Sequence, residues 1–364
     1  MKKNQILSIY GKDYCRMTQE LLRAADLQAL IGGREKTILL KPNLVLASTA
    51  ESGAVTHPEI LEGVIVYLKS EGFTNLRVCE GSWVGAKTVP AARLSGILGV
   101  CEAYGVPFVD LQKDESRPMS GGGMTIRVCE QALNADFIIN LPVVKGHCQT
   151  LMTCALKNLK GLLPNSEKRR FHTLGLHRPI ACLNTILKPG FIVADNICGD
   201  LNFEEGGTPV QMDRIFCCTD PVLCDSFACQ TMGVALRDVP YIRMAEQLGV
   251  GCADLSRAEI LALNEPEAAI PVRREYRVRA LEAYAAPKDA CSACYGMLIH
   301  ALDKLEQKDL LRGLPQPVCI GQGYRALSGE LGVGSCTKNF RCNLPGCPPT
   351  AEQMLRFLEE QCRR

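Results

Sequence analysis

Short apolar runs alternate with helix-like segments through most of the chain. Residues 37–40, 76–79, 137–140 and 191–194 are apolar and are bounded by turn residues, as short buried strands are. Strands that alternate with helices form parallel sheets whose two faces are covered by those helices. The sequence therefore predicts an α/β fold: a mostly parallel sheet with helices on both faces.

Local signals predict where two helices begin and end. Residues 56–59, Thr-His-Pro-Glu, combine a capping-box pattern with an early proline, and Gly72 is the predicted stop. Further along, Asp220 is a predicted N-cap, Pro221 the first helical residue, and Gly233 the stop.

The length of 364 residues favours two domains. Residues 264–275 are more polar than their surroundings and are typical of a passage between units. Residues 1–270 are expected to form the α/β domain. Residues 271–364 are expected to form a small C-terminal α/β cysteine-rich domain, with helices near 291–306 and 350–360 and a strand at 317–320. Thr350 and Gln353 give the last helix a capping box.

Composition excludes several classes of function. A net charge of +2 with 5% aromatic residues offers no surface for nucleic acid. No apolar run is long enough to span a membrane, and the start of the chain is too interrupted for a signal peptide. Motifs for P-loops, dinucleotide binding and serine hydrolases are absent. Twenty cysteines without an export signal indicate a reducing compartment, so a cytoplasmic protein without a membrane partner is expected.

Spacing separates a few cysteines near the C-terminus from the rest. Cys291 and Cys294 form a CxxC pair, and Cys336 and Cys347 follow, the latter within Gly-Cys-Pro-Pro. Four thiolates are the usual ligands of a 4Fe-4S cluster, and Cys347 also lies just ahead of a predicted helix N-terminus, where an anionic cluster is favoured. The prediction is a cluster bound by these four residues, with Cys342 or Cys319 as possible replacements.

Two other interpretations of these cysteines stay open. The same four thiolates suit tetrahedral zinc. Alternatively, the thiols bind nothing and pack two small helices. Cysteines elsewhere are expected to pack as small hydrophobic side chains, namely Cys79, Cys129, Cys154, Cys182, Cys198, Cys217, Cys218, Cys229 and Cys252.

Polar side chains follow the predicted strands, where open α/β sheets bind their ligands. An anion-binding, acid–base pocket is therefore predicted, in which lysines hold a carboxylate or phosphate while His147 or Glu80 moves a proton. The predicted catalytic residues are Glu80, Lys145, His147, Lys157 and Lys160, and the predicted ligand-binding residues are Lys41, Asn43, Asp195 and Asp225. In the alternative, non-functional interpretation, Lys157 and Lys160 form a solvated helix face, and His57 and His172 are capping or surface residues.

Across residues 37–235 the chain resembles the domain-of-unknown-function family 362. The motifs that carry the resemblance are 41–45, 55–59, 79–82, 135–142, 145–147, 155–161, Asp195, 219–221 and Asp225. The resemblance implies an α/β domain often found with iron–sulfur modules, and hence a redox role. Relatives with an added ferredoxin segment hold two clusters, whereas the dispersed cysteines of this chain imply a single one.

The leading hypothesis is an iron–sulfur redox protein with one 4Fe-4S cluster next to a polar cleft. The cleft would bind a small anionic ligand or dock an unknown electron donor or acceptor. One alternative is a non-redox lyase or isomerase that uses Lys, His and Glu side chains, with a structural metal. Another is a binding module that senses redox state and has no turnover.

Overall fold

The structure, a computed structural model, describes residues 1–207, 209–266 and 277–363. The strands are β1 Gln5–Tyr10, β2 Ile38–Pro42, β3 Leu76–Glu80, β4 Phe108–Asp110, β5 Ser116–Gly121, β6 Met124–Cys129, β7 Phe137–Leu141, β8 Lys145–His147, β9 Leu151–Thr153, β10 Phe191–Asp200, β11 Pro209–Cys218, β12 Glu259–Ala262, β13 Ala285–Pro287, β14 Val318–Ile320, β15 Leu331–Val333 and β16 Cys342–Leu344. The α-helices are α1 Tyr14–Ala24, α2 Leu27–Ile31, α3 Pro58–Ser70, α4 Thr88–Leu94, α5 Ile97–Tyr104, α6 Glu130–Leu133, α7 Ala155–Asn158, α8 Asn165–Leu174, α9 His177–Ile186, α10 Pro221–Thr231, α11 Pro240–Gln247, α12 Arg277–Glu282, α13 Ser292–Gln307 and α14 Ala351–Cys362. None of the helices in the described part of the chain is both long and apolar enough to cross a bilayer.

The chain forms two compact units. Among the described residues, the first contains 1–169 and 177–266, and the second contains 170–176 and 277–363. The domain boundary expected between residues 270 and 271 lies within 267–276, outside the described residues.

The first unit is built on an eight-stranded sheet with the order β12-β1-β11-β10-β7-β2-β3-β4. Only β11 runs antiparallel to its neighbours in this sheet, so the predicted mostly parallel sheet is confirmed. Alternate residues of β11 face opposite ways: Ile215 and Cys217 join the apolar core with α1 and α3, whereas Phe216 packs edge-on against Phe227 of α10. Helices therefore cover both faces.

One predicted strand is longer than its apolar run. The sequence places Asp195 in a turn after residues 191–194, but β10 continues to Asp200 and pairs with β11, where Asp195 lies opposite Ile215. The turn expectation for Asp195 is wrong because β11 offers backbone partners to the polar half of β10. A hairpin, β5–β6, was also not predicted, and its turn uses Gly122 and Gly123 in the positive-φ region.

The two predicted helix starts have different outcomes. Asp220 caps α10 by accepting hydrogen bonds from the backbone N–H groups of Val222 at 2.8 Å and Leu223 at 3.0 Å, which confirms that prediction. The capping box expected at Thr56 is wrong, because the N-cap of α3 is His57. The Thr56 hydroxyl instead donates to Leu141 O at 2.8 Å and so ties this loop to the end of β7.

The second unit contains a four-stranded sheet, β13-β14-β15-β16, in which each strand is parallel to the next. Helices α13 and α14 pack on one another in the same unit. The small C-terminal α/β region is therefore confirmed. The capping box of α14 is also present, since Gln353 N–H donates to Thr350 Oγ1 at 3.2 Å and Thr350 N–H donates to Gln353 Oε1 at 2.9 Å.

Candidate functional site

Two neighbouring parallel strands of the first unit end in buried charges. Lys41, near the end of β2, forms an ion pair with Glu80 at the end of β3, and both side chains are almost fully buried. Burial lowers the pKa of Lys41 and raises the pKa of Glu80, so both groups shift towards their neutral forms. A proton can therefore pass between them with little cost in charge separation.

Lys168 of α8 lies beside this pair. Its ammonium donates to Gly81 O at 2.6 Å and to Ser82 O at 3.1 Å. Burial lowers the pKa of Lys168 to about 8, opposed by the charge of Glu80 and assisted by that of Lys41. The turn after β3 is thus fixed by a lysine that is charged through most of the neutral range.

Gly161 makes the close approach of these charges possible. A Cβ atom at this position would collide with the Glu80 carboxylate and the Lys41 ammonium. Gly161 O also accepts a hydrogen bond from Gly81 N at 3.1 Å, so backbone lies directly against the ion pair. Any side chain here would have to push the pair apart.

Three asparagines connect Lys41 to the next part of the site. Asn158 Nδ2 donates to Asn140 Oδ1 at 2.7 Å, and Asn158 Oδ1 accepts from Asn43 Nδ2 at 2.8 Å and from Lys41 Nζ at 3.4 Å. Because every described donor and acceptor in this chain of amides is buried and engaged, the network fixes the orientation of each member.

Glu204 is the centre of the remaining charges. Its carboxylate accepts from Lys157 Nζ and forms a 3.1 Å contact with His147 Nε2, and its backbone O accepts from Lys145 Nζ at 3.0 Å. Lys145 also donates to Asn43 Oδ1 at 3.0 Å. Burial raises the pKa of Glu204, but the charges of Lys157 and His147 outweigh it and hold the pKa well below its usual value.

The tautomer of His147 follows from its contacts. Its Nδ1 accepts from the backbone N–H groups of Gln149 at 3.0 Å and Thr150 at 3.1 Å, so Nε2 carries the proton and donates it to Glu204. Burial and the charge of Lys157 lower the pKa of His147 to about 4. Neutral His147 is therefore a hydrogen-bond donor to Glu204 at pH 7, and neither ring nitrogen is open to act as a base.

Lys160 connects the two groups of charges. Burial and the charges of Lys157 and Lys168 together lower the pKa of Lys160 to about 7, against the opposing charge of Glu204. Burial likewise lowers the pKa of Lys145 to about 8. Lys160 and Lys145 thus titrate near neutrality, as residues that exchange protons do.

We call these residues the lysine–glutamate cluster: Lys41, Glu80, Lys145, His147, Lys157, Lys160, Lys168 and Glu204. Five lysines face two glutamates, so the cluster carries a positive excess when its lysines are protonated. Lys157 is only 3% exposed, so it does not belong to a solvated face. His57 and His172 are buried, so the surface interpretation of both is wrong, whereas His57 does occupy the N-cap position of α3, without a capping hydrogen bond from its side chain. Buried ammonium groups that lack a counter-charge are energetically costly, so a bound anion would lower the free energy of the cluster by offsetting its positive excess.

Asp195 and Asp225 have other partners. The Asp195 carboxylate accepts from the backbone N–H of His57 at 2.8 Å and contacts His57 Nδ1 at 2.9 Å, and His57 Nε2 lies 3.7 Å from Cys198 Sγ. Asp225 accepts from Ala155 N at 2.7 Å. It therefore anchors the start of α7, which carries Lys157 and Asn158, and acts on the cluster by positioning.

Sequence reasoning did not single out Glu204, Lys168 and Asn158 as site residues. Glu204 belongs to a Glu-Glu-Gly-Gly segment, whose glycines are typical of an ordinary turn, and Lys168 lies in a polar helical stretch. Lys145 and His147 were singled out because they follow the predicted strand at 137–140. The sequence placed them in a turn, whereas in the structure they lie in a further short strand, β8, whose alternate residues face the same side.

The predicted cluster ligands of the second unit all follow strand ends. Cys291 and Cys294 follow β13, Cys336 follows β15, and Cys347 follows β16. The strands are parallel, so these turns leave from the same edge of the sheet. Cys291 is the N-cap of α13 and Cys294 lies in its first turn, where the helix dipole favours a thiolate. We call the four residues the thiol set.

The thiols of this set influence one another. Burial and the charges of the other three thiols raise the pKa of Cys294 to about 12. Burial also raises the pKa of Cys291, against the effect of a hydrogen bond that Gln322 Nε2 donates to Cys291 Sγ at 3.3 Å. Gln322 follows β14, so the turns after all four strands contribute to this site.

Cys342 and Cys319 lie elsewhere in the same sheet. Cys342 is the first residue of β16, at the opposite strand end from Cys347, and lines a cavity with Glu330 and Arg341. Cys319 is the middle residue of β14, and its thiol contacts the Tyr324 side chain. Neither position matches the strand ends that carry the thiol set.

Among the described residues, the group in which three or more possible ligand atoms lie within 4.8 Å of one another is Cys154, Cys224 and Asp225, in the first unit.

Comparisons with known proteins give a family and two partial likenesses. A sequence model of the family described as "Domain of unknown function (DUF362)" matches residues 38–230, more than half of the chain. A thylakoid-associated protein of Synechocystis sp. is 30% identical over 135 residues, which are 37% of this chain and 41% of that protein. The chain thus matches less than half the length of this curated relative.

Among solved structures, the lactate racemase apoprotein from Thermoanaerobacterium thermosaccharolyticum aligns with a TM-score of 0.37 and 12% sequence identity. The alignment covers 52% of this chain and 50% of that one. A likeness at this level supports no conclusion about fold or activity.

Proposed function

Because the chain belongs to domain-of-unknown-function family 362, whose description names no activity, we propose from its own residues that it is an iron–sulfur redox protein. The thiol set would hold one 4Fe-4S cluster in the second unit. The lysine–glutamate cluster of the first unit would bind a small anionic ligand. An electron donor or acceptor outside this chain would exchange electrons with the cluster.

One observation carries the proposal. Four cysteines from three separate stretches of the chain follow β13, β15 and β16, whose carboxyl ends lie at one edge of a parallel sheet. A set of packing cysteines has no reason to be confined to strand ends, whereas a bound centre requires ligands that converge from several turns.

The donors present also suit the group. Thiolates bind iron strongly, and the N-terminus of α13 next to Cys291 and Cys294 favours their negative charge. The amide of Gln322 donates to Cys291 sulfur, the kind of hydrogen bond that adjusts a cluster's reduction potential. When bound, a 4Fe-4S cluster supplies one-electron transfer.

In the first unit, the chain's own residues hold the anion and move protons. Lys157 and Lys145 are held by Glu204 and Asn43, and Lys160, whose pKa is lowered to about 7, is the lysine whose charge changes nearest to pH 7. The Lys41–Glu80 pair stores one proton that either member can carry. These residues would therefore bind a carboxylate- or phosphate-sized anion and transfer a proton to or from it.

Metal analysis of variants tests the cluster ligands. The full chain, purified without oxygen, is expected to be brown and to contain iron and sulfide in equal amounts. Cys291→Ser, Cys336→Ser and Cys347→Ser should lose most of that iron. Cys342→Ser and Cys319→Ser are matched controls in the same sheet and should keep it.

Two results would overturn the ligand assignment. If Cys342→Ser lost iron while Cys347→Ser kept it, the strand-end argument would be wrong. If the folded wild-type chain held zinc at the thiol set instead, the proposed redox role would be wrong, and the thiol set would be a structural zinc site.

A second candidate function is proton transfer without redox chemistry, as in a lyase or isomerase. The near-neutral pKa of Lys160 and the shared proton of Lys41 and Glu80 favour it. In that case, Cys336→Ser should cost stability but leave the activity of the surviving folded protein. A redox protein should lose its electron transfer with its iron.

A further inference from the structure

Three further donor atoms converge inside the first unit. Cys154 immediately precedes α7, and Cys224 and Asp225 are neighbours within α10. Their ligand atoms all lie within 4.8 Å of one another, and all three residues are buried. Cys218, the last residue of β11, also hydrogen-bonds the Cys224 side chain.

The sulfur spacing fits a small tetrahedral ion. Cys154 Sγ lies 3.9 Å from Cys224 Sγ. Two thiolates on one Zn²⁺ with bonds of about 2.3 Å lie about 3.8 Å apart. These two sulfurs therefore already have the separation that one zinc ion requires.

Asp225 keeps capacity for a metal while it anchors α7. One oxygen accepts from Ala155 N at 2.7 Å, and Leu156 N lies at 3.4 and 3.3 Å from the two oxygens. A carboxylate offers about four lone-pair sites, so these bonds leave room for a bond to a cation. Tyr241 also hydrogen-bonds Asp225. Ligating carboxylates are held by such outer hydrogen bonds.

We propose that Cys154, Cys224 and Asp225 bind one Zn²⁺ ion, with Cys218 as the donor for the fourth position. The site would join the loop before α7 to β11 and α10. Since α7 carries Lys157 and Asn158, the ion would hold part of the lysine–glutamate cluster in place.

Binding would release protons. Each thiol that ligates zinc gives its proton to solvent as the Zn–S bond forms.

Zinc titration of the full chain tests the site. Anaerobic wild-type protein, competed against a chromophoric chelator, should take up about one equivalent of zinc. Cys224→Ser should lose this zinc and keep the iron of the thiol set. Cys229→Ser is the matched control, because Cys229 is buried in the same helix, is not one of the three proposed ligands, and contacts Met152 Sδ at 3.0 Å.

A second measurement covers the case in which Cys224→Ser does not fold. Zinc should protect Cys154 and Cys224 of the wild-type chain, but not Cys229, from alkylation mapped by mass spectrometry. The assignment would be wrong if Cys224→Ser and Cys229→Ser bound equal amounts of zinc, or if zinc did not protect Cys154 and Cys224 from alkylation. It would also be wrong if these two cysteines formed a disulfide with each other and bound no zinc. Because iron and zinc are counted separately, failure here leaves the proposed function untouched, and the reverse also holds.

Discussion

Two adjacent glutamates should respond in opposite ways to the same substitution. Glu204 is held ionised by Lys157 and His147, and its side chain is 18% exposed. Glu204→Gln keeps an oxygen for His147 but leaves Lys157 without its carboxylate. Removing one partner of a buried ion pair costs about 3–5 kcal/mol, and the retained hydrogen bond places this variant near the lower value, about 3 kcal/mol.

Glu205 is the matched control. Burial and the charge of Glu204 raise the pKa of Glu205, so its ionised form is disfavoured in the folded chain. Removing that carboxyl group should leave the free energy of unfolding at pH 7 unchanged or raise it slightly. The two Gln variants have the same shape change and differ in the sign of the electrostatic effect.

The pH dependence of the unfolding free energy distinguishes the Glu204 and Glu205 variants further. The folded pKa of Glu204 is depressed, so its contribution to stability is complete above the unfolded pKa of about 4.3 and is lost as pH falls through the folded value. The loss caused by Glu204→Gln should therefore fade below pH 4. The folded pKa of Glu205 is raised, so any gain from Glu205→Gln should be absent at pH 4 and present at pH 7.

Urea unfolding followed by the fluorescence of Trp83, the single tryptophan, reports on the first unit. Midpoints of wild type and both variants at pH 4 and pH 7 give the required differences. Equal destabilisation by both variants at pH 7, or a Glu205→Gln variant that becomes less stable relative to wild type between pH 4 and pH 7, would refute the electrostatic reasoning.

Three further predictions concern separate parts of the chain. Sulfate, whose charge is constant from pH 6 to 9, should bind the lysine–glutamate cluster more weakly as pH rises, because Lys160 loses its proton near pH 7; calorimetry should show a flatter dependence for Lys160→Met, and an unchanged slope would contradict the assignment. Gly161→Ala should cost about 1–3 kcal/mol of unfolding free energy by forcing Glu80 and Lys41 apart, whereas Gly99→Ala, which meets nothing within 4 Å, should not destabilise. Thr350→Ala removes the capping box of α14 and should lower the stability of the second unit by about 1 kcal/mol, measured by hydrogen exchange in α14; unchanged exchange would mean that the cap contributes nothing.

Much of the fold could be predicted because strands and helix starts are marked by residues that are close together in sequence. Apolar runs at 37–40, 76–79 and 137–140 became β2, β3 and β7, and Asp220 with Pro221 began α10. The positions that differ depend on distant partners. Asp195 lies within a strand because β11 pairs with it. The Thr56 hydroxyl donates a hydrogen bond to Leu141 O and does not cap α3.

The candidate site shows the same division. The ends of predicted parallel strands indicated Lys41, Glu80 and Lys145, since such ends share one edge of a sheet. Glu204 could not be found in this way, because its loop reaches Lys157 and His147 only after the chain has folded. Cys342 and Cys347 are only five residues apart in sequence, but Cys342 begins β16 whereas Cys347 follows it, a difference that spacing in the sequence does not reveal.

Iron and acid-labile sulfide in anaerobically purified full-length chain are the most direct measurement of the central claim. A single 4Fe-4S centre predicts about four iron atoms and four sulfides per chain, retained in Cys342→Ser and lost in Cys347→Ser. A well-folded anaerobic protein without iron and sulfide, even after reconstitution with both, would contradict it.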